Sequence, residues 1–366
     1  MKFTIEREQL LKPLQTVTSV VERRQTLPIL SNLLLSSNDK QLSITGTDLE
    51  VEMTAKLSVD VTEPGDITVP ARKLFDICRA LPDKANIEFT LNENRATIRS
   101  GKSRFVLSTL PAAEFPTIDA VSHSLQFDVA QAIFKEAIDL THFAMAQQDV
   151  RYYLNGMLME IGDDSLLFVA TDGHRLSLCN TGYQIDAKES LQVIIPRKGV
   201  LELSRLLDEG DSTMQVQLGN NSIRIITDSM VFTSKLIDGR FPDYQNVVPA
   251  KCNKTAVCDR ETLRQALARV SILSNEKYRG VRMQFSAGFL KLMAHNPEQE
   301  EAEEEVAIDY TGDDLEIGFN VSYILDAITV GDSEQVEIEL TDPNSCCLIR
   351  GIGEQKCKYV VMPMRL

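Results

Sequence analysis

The chain has 366 residues and a formal net charge of -15, and 43% of its residues are hydrophobic. This length fits two to three domains, and the composition is that of an ordinary soluble globular protein. No apolar run approaches the roughly 18 residues of a membrane span, and the first residues lack the apolar core of a signal peptide. We therefore expect a cytoplasmic protein with no membrane partner. Taken alone, the acidic charge argues against nucleic-acid binding.

One pattern of predicted elements occurs three times along the chain. A short β-like run, a helix-start signal and an apolar-periodic stretch follow one another at 65–82, 190–208 and 314–328. Pro70, Pro196 and Asn320 take matching places, at separations of 126 and 124 residues. A period near one third of the chain predicts three copies of one domain, and such copies usually stack or close into a ring.

Each repeat is predicted to begin with an amphipathic helix. Pro13 predicts a kink or a shorter helix in the first, and Asp128 and Asp259 are the predicted N-caps of the other two. Apolar residues at helical spacing form the predicted buried faces, namely Leu10, Leu14, Val17 and Val21, then Ile133, Phe134, Ala137 and Ile138, then Leu263, Ala266, Leu267 and Val270.

Alternating segments predict strand pairs after each first helix. They lie at 42–59, with a predicted turn at Gly46, and at 165–180 and 289–308. Because the elements lack a regular βαβ alternation, we predict an α+β fold with largely antiparallel sheets. Links near 117–127 and 246–256 divide the chain into predicted domains 1–124, 125–253 and 254–366.

The predicted second helices carry basic residues. Arg72 and Arg79 are seven apart and share a helical face, as do Lys198 and Arg205. Cations near a helix N-terminus are unfavourable against the helix dipole, which favours an external anion such as a phosphate backbone. A solvated basic face is the alternative. The third copy has no base there and adds Asp326.

Three other segments carry features of possible functional use. Gln148, Arg151, Tyr152 and Tyr153 crowd together and suit sugar–phosphate contact, or alternatively a strand entry with buried tyrosines. The acidic run 296–305 is either a solvated face or an interface complementary to basic residues of the first repeat. The apolar end of the chain, 359–366, is either a buried strand or one wall of a groove.

Catalytic and metal-site signals are weak. The sequence has no phosphate-binding glycine loop, no HExxH and no GxSxG, and its seven cysteines include no CxxC pair, so we expect free thiols and no metal site. Asp172 and His174 form the one tempting catalytic set. They leave a hydrolase as an alternative function, and a scaffold that binds only peptides is another.

Many motifs resemble the bacterial β sliding clamp family. They include TLPILSNLLL, VPARKLFDICRALP, QDVRYYLNGML, ATDGHRLS, FTSKLIDGRFPDY, NPEQEEAEE, IGFNVSYILD and YVVMPMRL, which together cover the chain end to end. The resemblance implies the DNA clamp fold: three repeated domains, each with two helices and antiparallel sheets. It also implies a head-to-tail homodimer whose six-domain ring encircles double-stranded DNA and acts as the processivity factor of the DNA polymerase III holoenzyme. Neither catalysis nor a cofactor is expected.

The resemblance also implies site residues. For contact with DNA they are Arg24, Arg72, Gln148, Tyr152, Tyr153 and, near the DNA path, Lys198. For a pocket between the second and third domains they are Leu154, Thr171, Gly173, His174, Arg175, Leu176, Pro242, Val247, Val360, Met362, Pro363, Met364, Arg365 and Leu366. This pocket would take short glutamine- and leucine-containing motifs of the replicative polymerase catalytic subunit, clamp-loader subunits, other polymerases and repair proteins.

The implied dimer interface joins the first and third domains of two chains. Phe105 and Leu107 would meet Ile272 and Leu273, while Lys73, Lys102 and Arg104 would face Glu298, Glu301 and Glu304. Two positions depart from the family's usual pattern. Asn246 stands where a basic residue is frequent, and Gln147 stands where a histidine is common.

Overall fold

The structure, a computed structural model, describes residues 1–22, 27–118, 123–162, 165–185, 190–353 and 356–365. Its elements fall into three sets with one order: a strand, a helix, several strands, a second helix and three final strands. This order confirms the predicted α+β fold of three repeats with two helices each.

The three sets have the following bounds. The first contains β1 (Lys2–Glu6), α1 (Arg7–Ser19), β2 (Asn32–Asn38), β3 (Gln41–Thr47), β4 (Val51–Ser58), β5 (Asp60–Glu63), β6 (Gly65–Pro70), α2 (Ala71–Ala80), β7 (Asn86–Asn92), β8 (Arg95–Ser100) and β9 (Ser103–Ser108). The second contains β10 (His123–Ala130), α3 (Gln131–Asp139), β11 (Gly156–Gly162), β12 (Ser165–Thr171), β13 (Arg175–Asn180), β14 (Leu191–Pro196), α4 (Arg197–Leu206), β15 (Thr213–Gly219), β16 (Ser222–Ile226) and β17 (Met230–Lys235). The third contains β18 (Lys254–Asp259), α5 (Arg260–Val270), β19 (Gly280–Ser286), β20 (Phe289–His295), β21 (Glu301–Ala307), β22 (Asp309–Tyr310), β23 (Leu315–Asn320), α6 (Val321–Thr329), β24 (Gln335–Leu340), β25 (Cys347–Gly351) and β26 (Cys357–Val361).

The chain divides into two compact units, each with two antiparallel sheets. Residues Met1–Ala132 and Leu201–Leu236 hold a five-stranded sheet, β5-β1-β7-β8-β9, and an eight-stranded sheet, β10-β15-β16-β17-β4-β3-β2-β6. Residues Ile133–Val200 and Ile237–Leu366 hold a nine-stranded sheet, β14-β11-β12-β13-β26-β25-β24-β18-β22, and a four-stranded sheet, β21-β20-β19-β23.

Neighbouring repeats share sheets by one rule. The last strand of the second repeat, β17, pairs with β4 of the first repeat, and the last strand of the third, β26, pairs with β13 of the second. In both cases the pairing strand of the preceding repeat is the third strand after that repeat's first helix. The same rule would pair β9, the last strand of the first repeat, with β21, the third strand after α5. Within the chain, however, both strands lie at the outer edges of their sheets.

The predicted apolar faces of the first helices are buried. Leu10, Leu14 and Val17 of α1 are at most 3% exposed, and Leu263 and Leu267 of α5 are fully buried. In the second repeat Phe134, Ala137 and Ile138 are buried, whereas Ile133 is only partly covered. α1 runs unbroken through Pro13, so the prediction of a shorter helix is wrong; burial of its apolar face offsets the missing backbone hydrogen bond.

Three further local predictions need correction. Each repeat begins with a strand, not directly with its helix. Asp259 caps α5 by accepting a hydrogen bond from Thr262 N–H at 2.7 Å, but Asp128 lies within β10, because the buried Val129 continues the strand alternation to Ala130. The predicted link 117–127 overlaps β10, and its residues 119–122 lie outside the described part.

The first hairpin turns later than predicted, at 48–50, where Leu49 adopts a φ of +79°. Gly46 lies inside β3. A Cβ there would sit 2.9 Å from the Val17 carbonyl oxygen and 3.0 Å from Leu33 Cδ2, so glycine permits the close approach of α1 to the sheet.

The structure also bears on disulfides, metal sites and membrane-spanning helices. None of the seven cysteines, all of which lie in the described part of the chain, is in a disulfide, and five of them are buried. Among the described residues, no group of three or more histidine, cysteine or acidic side chains is arranged to hold a metal ion. None of the helices in that part of the chain is long and apolar enough to cross a membrane.

Candidate functional site

A small apolar cavity of about 150 Å³ lies in the second unit. Four separate parts of the chain contribute to it: the segment around Leu154, the β12–β13 turn, the loop near Pro242, and the end of β26. Behind it lies a buried cluster that includes Leu158, Phe241 and Leu348. The lining comprises Arg151, Tyr153, Leu154, Thr171, Gly173, Arg175, Leu176, Pro242, Tyr244, Val247, Val360 and Met362.

The β12–β13 turn, TDGHR, is fixed by its own side chains. Asp172 Oδ1 accepts hydrogen bonds from the backbone N–H groups of His174 at 2.9 Å and of Arg175 at 3.0 Å. Thr171 Oγ1 donates to the Arg175 carbonyl at 2.6 Å and accepts from Gly173 N–H at 3.1 Å. Asp172 therefore shapes a turn, and its described hydrogen bonds do not include the His174 imidazole.

Gly173 is required at the centre of this turn. Its φ is +89°, and a Cβ would sit 3.0 Å from both terminal nitrogens of Arg151. Arg151 is in turn held by Asp149, which accepts from Nε at 3.1 Å and from Nη2 at 2.9 Å. These hydrogen bonds hold the pKa of Asp149 at about 2.

Arg175 joins the turn to neighbouring elements of the unit. Its guanidinium donates to Asp172 at 3.1 Å and to the Phe143 carbonyl at 2.8 Å, and it pairs with Asp326 of α6. The same group lies 4.6 Å from the centroid of the Tyr323 ring. Because a planar guanidinium makes these contacts together, Arg175 sets the position of one cavity wall.

The end of the chain forms another wall. Beyond β26, Met362 N–H donates to the His174 carbonyl at 2.9 Å, and Met364 N–H donates to the Gly318 carbonyl of β23 at 2.8 Å. The segment therefore passes from the nine-stranded sheet to the four-stranded sheet. Its apolar character has a structural reason, since Val360 is buried and Met362 lines the cavity.

The structure brings together most of the predicted pocket residues. Nine line the cavity, namely Leu154, Thr171, Gly173, Arg175, Leu176, Pro242, Val247, Val360 and Met362. His174 instead stacks on Tyr323 with ring centroids 6.3 Å apart. Met364 and Arg365 border a second, larger cavity, Pro363 lines neither, and Leu366 lies outside the described residues.

Three lining residues were not predicted for this pocket. Tyr153 was assigned to DNA contact and Arg151 to the same cluster, yet both line the cavity. Tyr152–Leu154 form a 3-10 turn, in which successive side chains point about 120° apart, so Tyr152 is 58% exposed while Tyr153 turns inward. No sequence pattern predicted Tyr244 at this site. Its ring is buried, and its hydroxyl donates a hydrogen bond to Glu160 at 3.0 Å.

The predicted DNA-contacting residues occur in both units. Arg72 is exposed in the first turn of α2, and its Nη2 donates to the Val21 carbonyl at 3.3 Å. Gln148 is exposed with a φ of +57°, close in sequence to Tyr152. Lys198 is half-buried in the first turn of α4, and Arg24 lies outside the described residues.

Of the predicted interface residues, Lys73 is exposed in the first turn of α2. The others lie on or beside the edge strands β9 and β21. Phe105 and Leu107 lie on β9, with Lys102 just before the strand and Arg104 exposed on it. Near β21, Ile272 is 76% exposed and Leu273 is half-buried.

The acidic residues of this edge differ in their surroundings. Glu298 and Glu301 are exposed. Glu304 is paired within its own chain, because it accepts from Arg269 Nε at 3.2 and 3.0 Å. This pair was not predicted, and it lowers the pKa of Glu304.

Comparisons with known proteins agree over the whole chain. Residues 1–119, 128–243 and 245–365 match the N-terminal, central and C-terminal domains of the DNA polymerase III beta subunit. The chain is 56% identical to the beta sliding clamp of Pseudomonas aeruginosa and 53% identical to that of Escherichia coli K12, with full coverage of each. Crystal structures of the Pseudomonas aeruginosa protein, one of them bound to griselimycin, superpose with a TM-score of 0.98 at 56% identity over the full length of both chains. The chain therefore belongs to the DNA polymerase III beta subunit family, the beta sliding clamps.

Proposed function

We propose that two copies of this chain close head to tail into a ring that encircles duplex DNA, and that the small apolar cavity tethers the replicative polymerase and other partners. Sliding clamps are processivity factors of DNA replication and not catalysts, so the hydrolase alternative is wrong.

The main support for the ring is the pair of edge strands β9 and β21. Within the chain, β17 pairs with β4 and β26 pairs with β13, always the last strand of one repeat with the third post-helix strand of the preceding repeat. The same pairing between β21 of one chain and β9 of a second copy would complete the series. Two such contacts related by a twofold axis close a ring and remove both exposed edges.

Charge supports the same pairing. β21 has the sequence EAEEEVA and exposes Glu301, Glu303 and Glu305. β9 and the turn before it expose Lys102 and Arg104. Opposite charges on two edges favour their association and disfavour pairing of either edge with itself. Exposed Ile272 and half-buried Phe105 would supply apolar contact at the same junction.

The proposed contact with DNA uses a basic surface that would bind phosphates without reading the base sequence. Arg72 and Lys198 each occupy the first turn of a second helix, where the helix dipole disfavours a cation and an external phosphate would favour it. Arg24, Gln148 and Tyr152 are the other proposed contacts. The net charge of -15 would keep DNA off the remaining surface.

The cavity suits a short peptide motif. Its apolar lining and volume of about 150 Å³ accommodate one or two large apolar side chains, and Arg151 at the lining offers a polar contact. Tyr153 belongs to this pocket in our proposal, rather than to the DNA surface. Clamp-loader subunits, the polymerase catalytic subunit, other polymerases and repair proteins would compete for it.

Loading onto DNA tests this function against the peptide-only scaffold. The protein is loaded with a clamp loader onto nicked circular DNA, separated by gel filtration, and the DNA is then linearised. Retention on the circle and loss after linearisation are expected of a closed ring. Absence from the circle, with motif peptides still bound, would favour the scaffold.

The predicted domain limits and the cytoplasmic location remain predictions.

A further inference from the structure

Two cysteines face each other where the second and third repeats share a sheet. Cys179 of β13 is directly opposite Cys357 of β26 in the register of these two strands. None of the other five cysteines has a cysteine opposite it in the described sheets; they are Cys78, Cys252, Cys258, Cys346 and Cys347. Strand pairing thus places two thiol side chains on one face of the sheet.

The cysteine pair occupies a non-hydrogen-bonded position of the ladder. The Asn180 N–H donates to the Lys356 carbonyl at 2.8 Å, and the Met362 N–H donates to the His174 carbonyl at 2.9 Å. In this register the two bonds mark hydrogen-bonded pairs at even spacing, and the cysteines fall at an alternate position. Residues opposite each other there have Cα atoms about 4.5 Å apart. This separation lies within the range of about 4.4–6.8 Å that a disulfide spans.

Both cysteine side chains are buried, but they lie near the end of the ladder. Cys179 is 2% exposed and Cys357 is 3% exposed. Cys357 is the first residue of β26, Asn180 is the last residue of β13, and Lys356 is exposed. The ends of a ladder open at a lower free energy than the whole fold. A small oxidant can therefore reach the thiols without global unfolding, although more slowly than it reaches an exposed thiol.

The same two strands carry walls of the small cavity. Leu176 of β13 pairs with Val360 of β26, three positions along the ladder from the cysteines, and both line the cavity. Because the cysteines already face each other, a bond between them needs no shift of either strand. Such a bond would hold β26 against β13 and leave the cavity wall in place.

We propose that Cys179 and Cys357 form a disulfide when the protein meets a hydroperoxide, and that this bond fastens the last strand of the chain to the second repeat. One thiol attacks a peroxide oxygen and becomes a sulfenic acid, while the O–O bond breaks and releases water. The other thiol attacks the sulfenic sulfur, so that the S–S bond forms and a second water leaves. The two thiols give up two electrons and two protons to one molecule of hydrogen peroxide.

The bond should stabilise the folded chain. The loop that it closes contains nearly all of the third repeat. A cross-link that closes a long loop reduces the conformational freedom of the unfolded chain, and the folded strands here already have the required separation. The peptide cavity would thus be kept in an oxidised protein.

The test compares reduced and peroxide-treated full-length protein. After treatment, remaining thiols are alkylated, the chain is cleaved at its glutamates without reductant, and mass spectrometry identifies linked peptides. We expect the peptides of Cys179 and Cys357 to be joined. The Tm should rise by about 5 °C and return to its first value after dithiothreitol. A peptide with a glutamine- and leucine-containing motif should bind both forms with Kd values within about twofold.

Variants locate the effect. Cys357→Ala should abolish both the linked peptides and the rise in Tm. Cys258→Ala is the matched control and should keep both, since Cys258 is also buried on a strand of the same sheet but faces Val336.

Three results would overturn the inference. In the first, both thiols are still alkylated after peroxide treatment, or one of them is linked to another cysteine such as Cys346. In the second, the oxidised form has the lower Tm. In the third, oxidation changes the peptide Kd about tenfold or more, which would mean that the bond moves the strands. The peptide measurement alone rests on the proposed function. A peptide that binds neither form contradicts the proposed pocket, while the linked peptides and the Tm still decide the cross-link.

Discussion

The backbone N–H of Met362 donates a hydrogen bond to the carbonyl oxygen of His174 across 2.9 Å. This bond places the end of the chain against the TDGHR turn, so that segments almost 190 residues apart in sequence form one apolar cavity. The turn is shaped by Asp172 and Gly173, and the chain end is anchored a second time at Gly318. Side-chain changes at either wall should therefore alter peptide binding more than they alter the fold.

Replacement of Gly173 by alanine should damage the cavity wall. The φ of +89° is unfavourable for a residue with a Cβ, and the new methyl group would press on the Arg151 guanidinium at 3.0 Å. We expect a loss of about 1–2 kcal/mol in unfolding free energy and weaker binding of a motif peptide. Gly162→Ala is the control, because a Cβ there has no neighbour within 4 Å. Equal effects of the two substitutions in thermal unfolding would contradict the role of the turn.

Met362→Ala should weaken peptide binding directly. Met362 lines the small cavity, and loss of its side chain removes apolar contacts worth about 1–2 kcal/mol, which is roughly a five- to thirtyfold increase in Kd. Met364→Ala should affect a motif peptide less, since Met364 borders the other cavity. Both variants should remain dimeric. The same Kd for Met362→Ala and the unchanged protein in a peptide titration would contradict the assignment of Met362 to the peptide site.

Sequence patterns predicted the three repeats better than the local details, and the family resemblance named nine of the residues that line the small cavity. Asp259 and Asp128 show the same sequence signal for a helix cap, but only Asp259 caps its helix. The strand before α3 continues to Ala130 because it pairs with β15 that far, and the local sequence does not show this pairing. Tyr152 and Tyr153 are adjacent in sequence, and their different exposure depends on a 3-10 turn. The Arg269–Glu304 pair joins residues 35 apart in sequence and has no local signal.

Glu52 should give the stability of the protein a measurable pH dependence. Burial raises its pKa, although the carboxylate accepts a hydrogen bond from Ile118 N–H at 2.9 Å. A raised folded-state pKa means that the ionised form is less favourable in the folded than in the unfolded chain. Glu52 thus lowers stability progressively as the pH rises from its unfolded value near 4.5 through its folded value.

Glu52→Gln should remove this effect and keep an acceptor for Ile118. The Tm of the variant relative to the unchanged protein should rise as the pH increases from below 4.5 toward neutral, because only the unchanged protein then carries a partly buried carboxylate. Glu50→Gln serves as the control, because Glu50 is exposed. A Tm difference that shifts the opposite way with pH would show that the hydrogen bond outweighs burial.

Combined substitution of Ile272 and Leu273 by alanine should give monomers. Ile272 is 76% exposed in the single chain, and we expect it to be buried by Phe105 and Leu107 of a second copy. Each lost side chain should cost about 1.5–3 kcal/mol of association free energy. Phe289→Ala is the control, since Phe289 is an exposed apolar residue outside the predicted interface. Sedimentation that still shows dimers of the double variant would place the interface elsewhere.

The mass in solution tests the central claim most directly. Light scattering at micromolar concentration should give twice the 40.9 kDa of one chain, as expected when β9 and β21 of two copies pair and close the ring. A mass of one chain would mean that the two edges stay unpaired. The proposed ring, and with it topological retention on DNA, would then be contradicted.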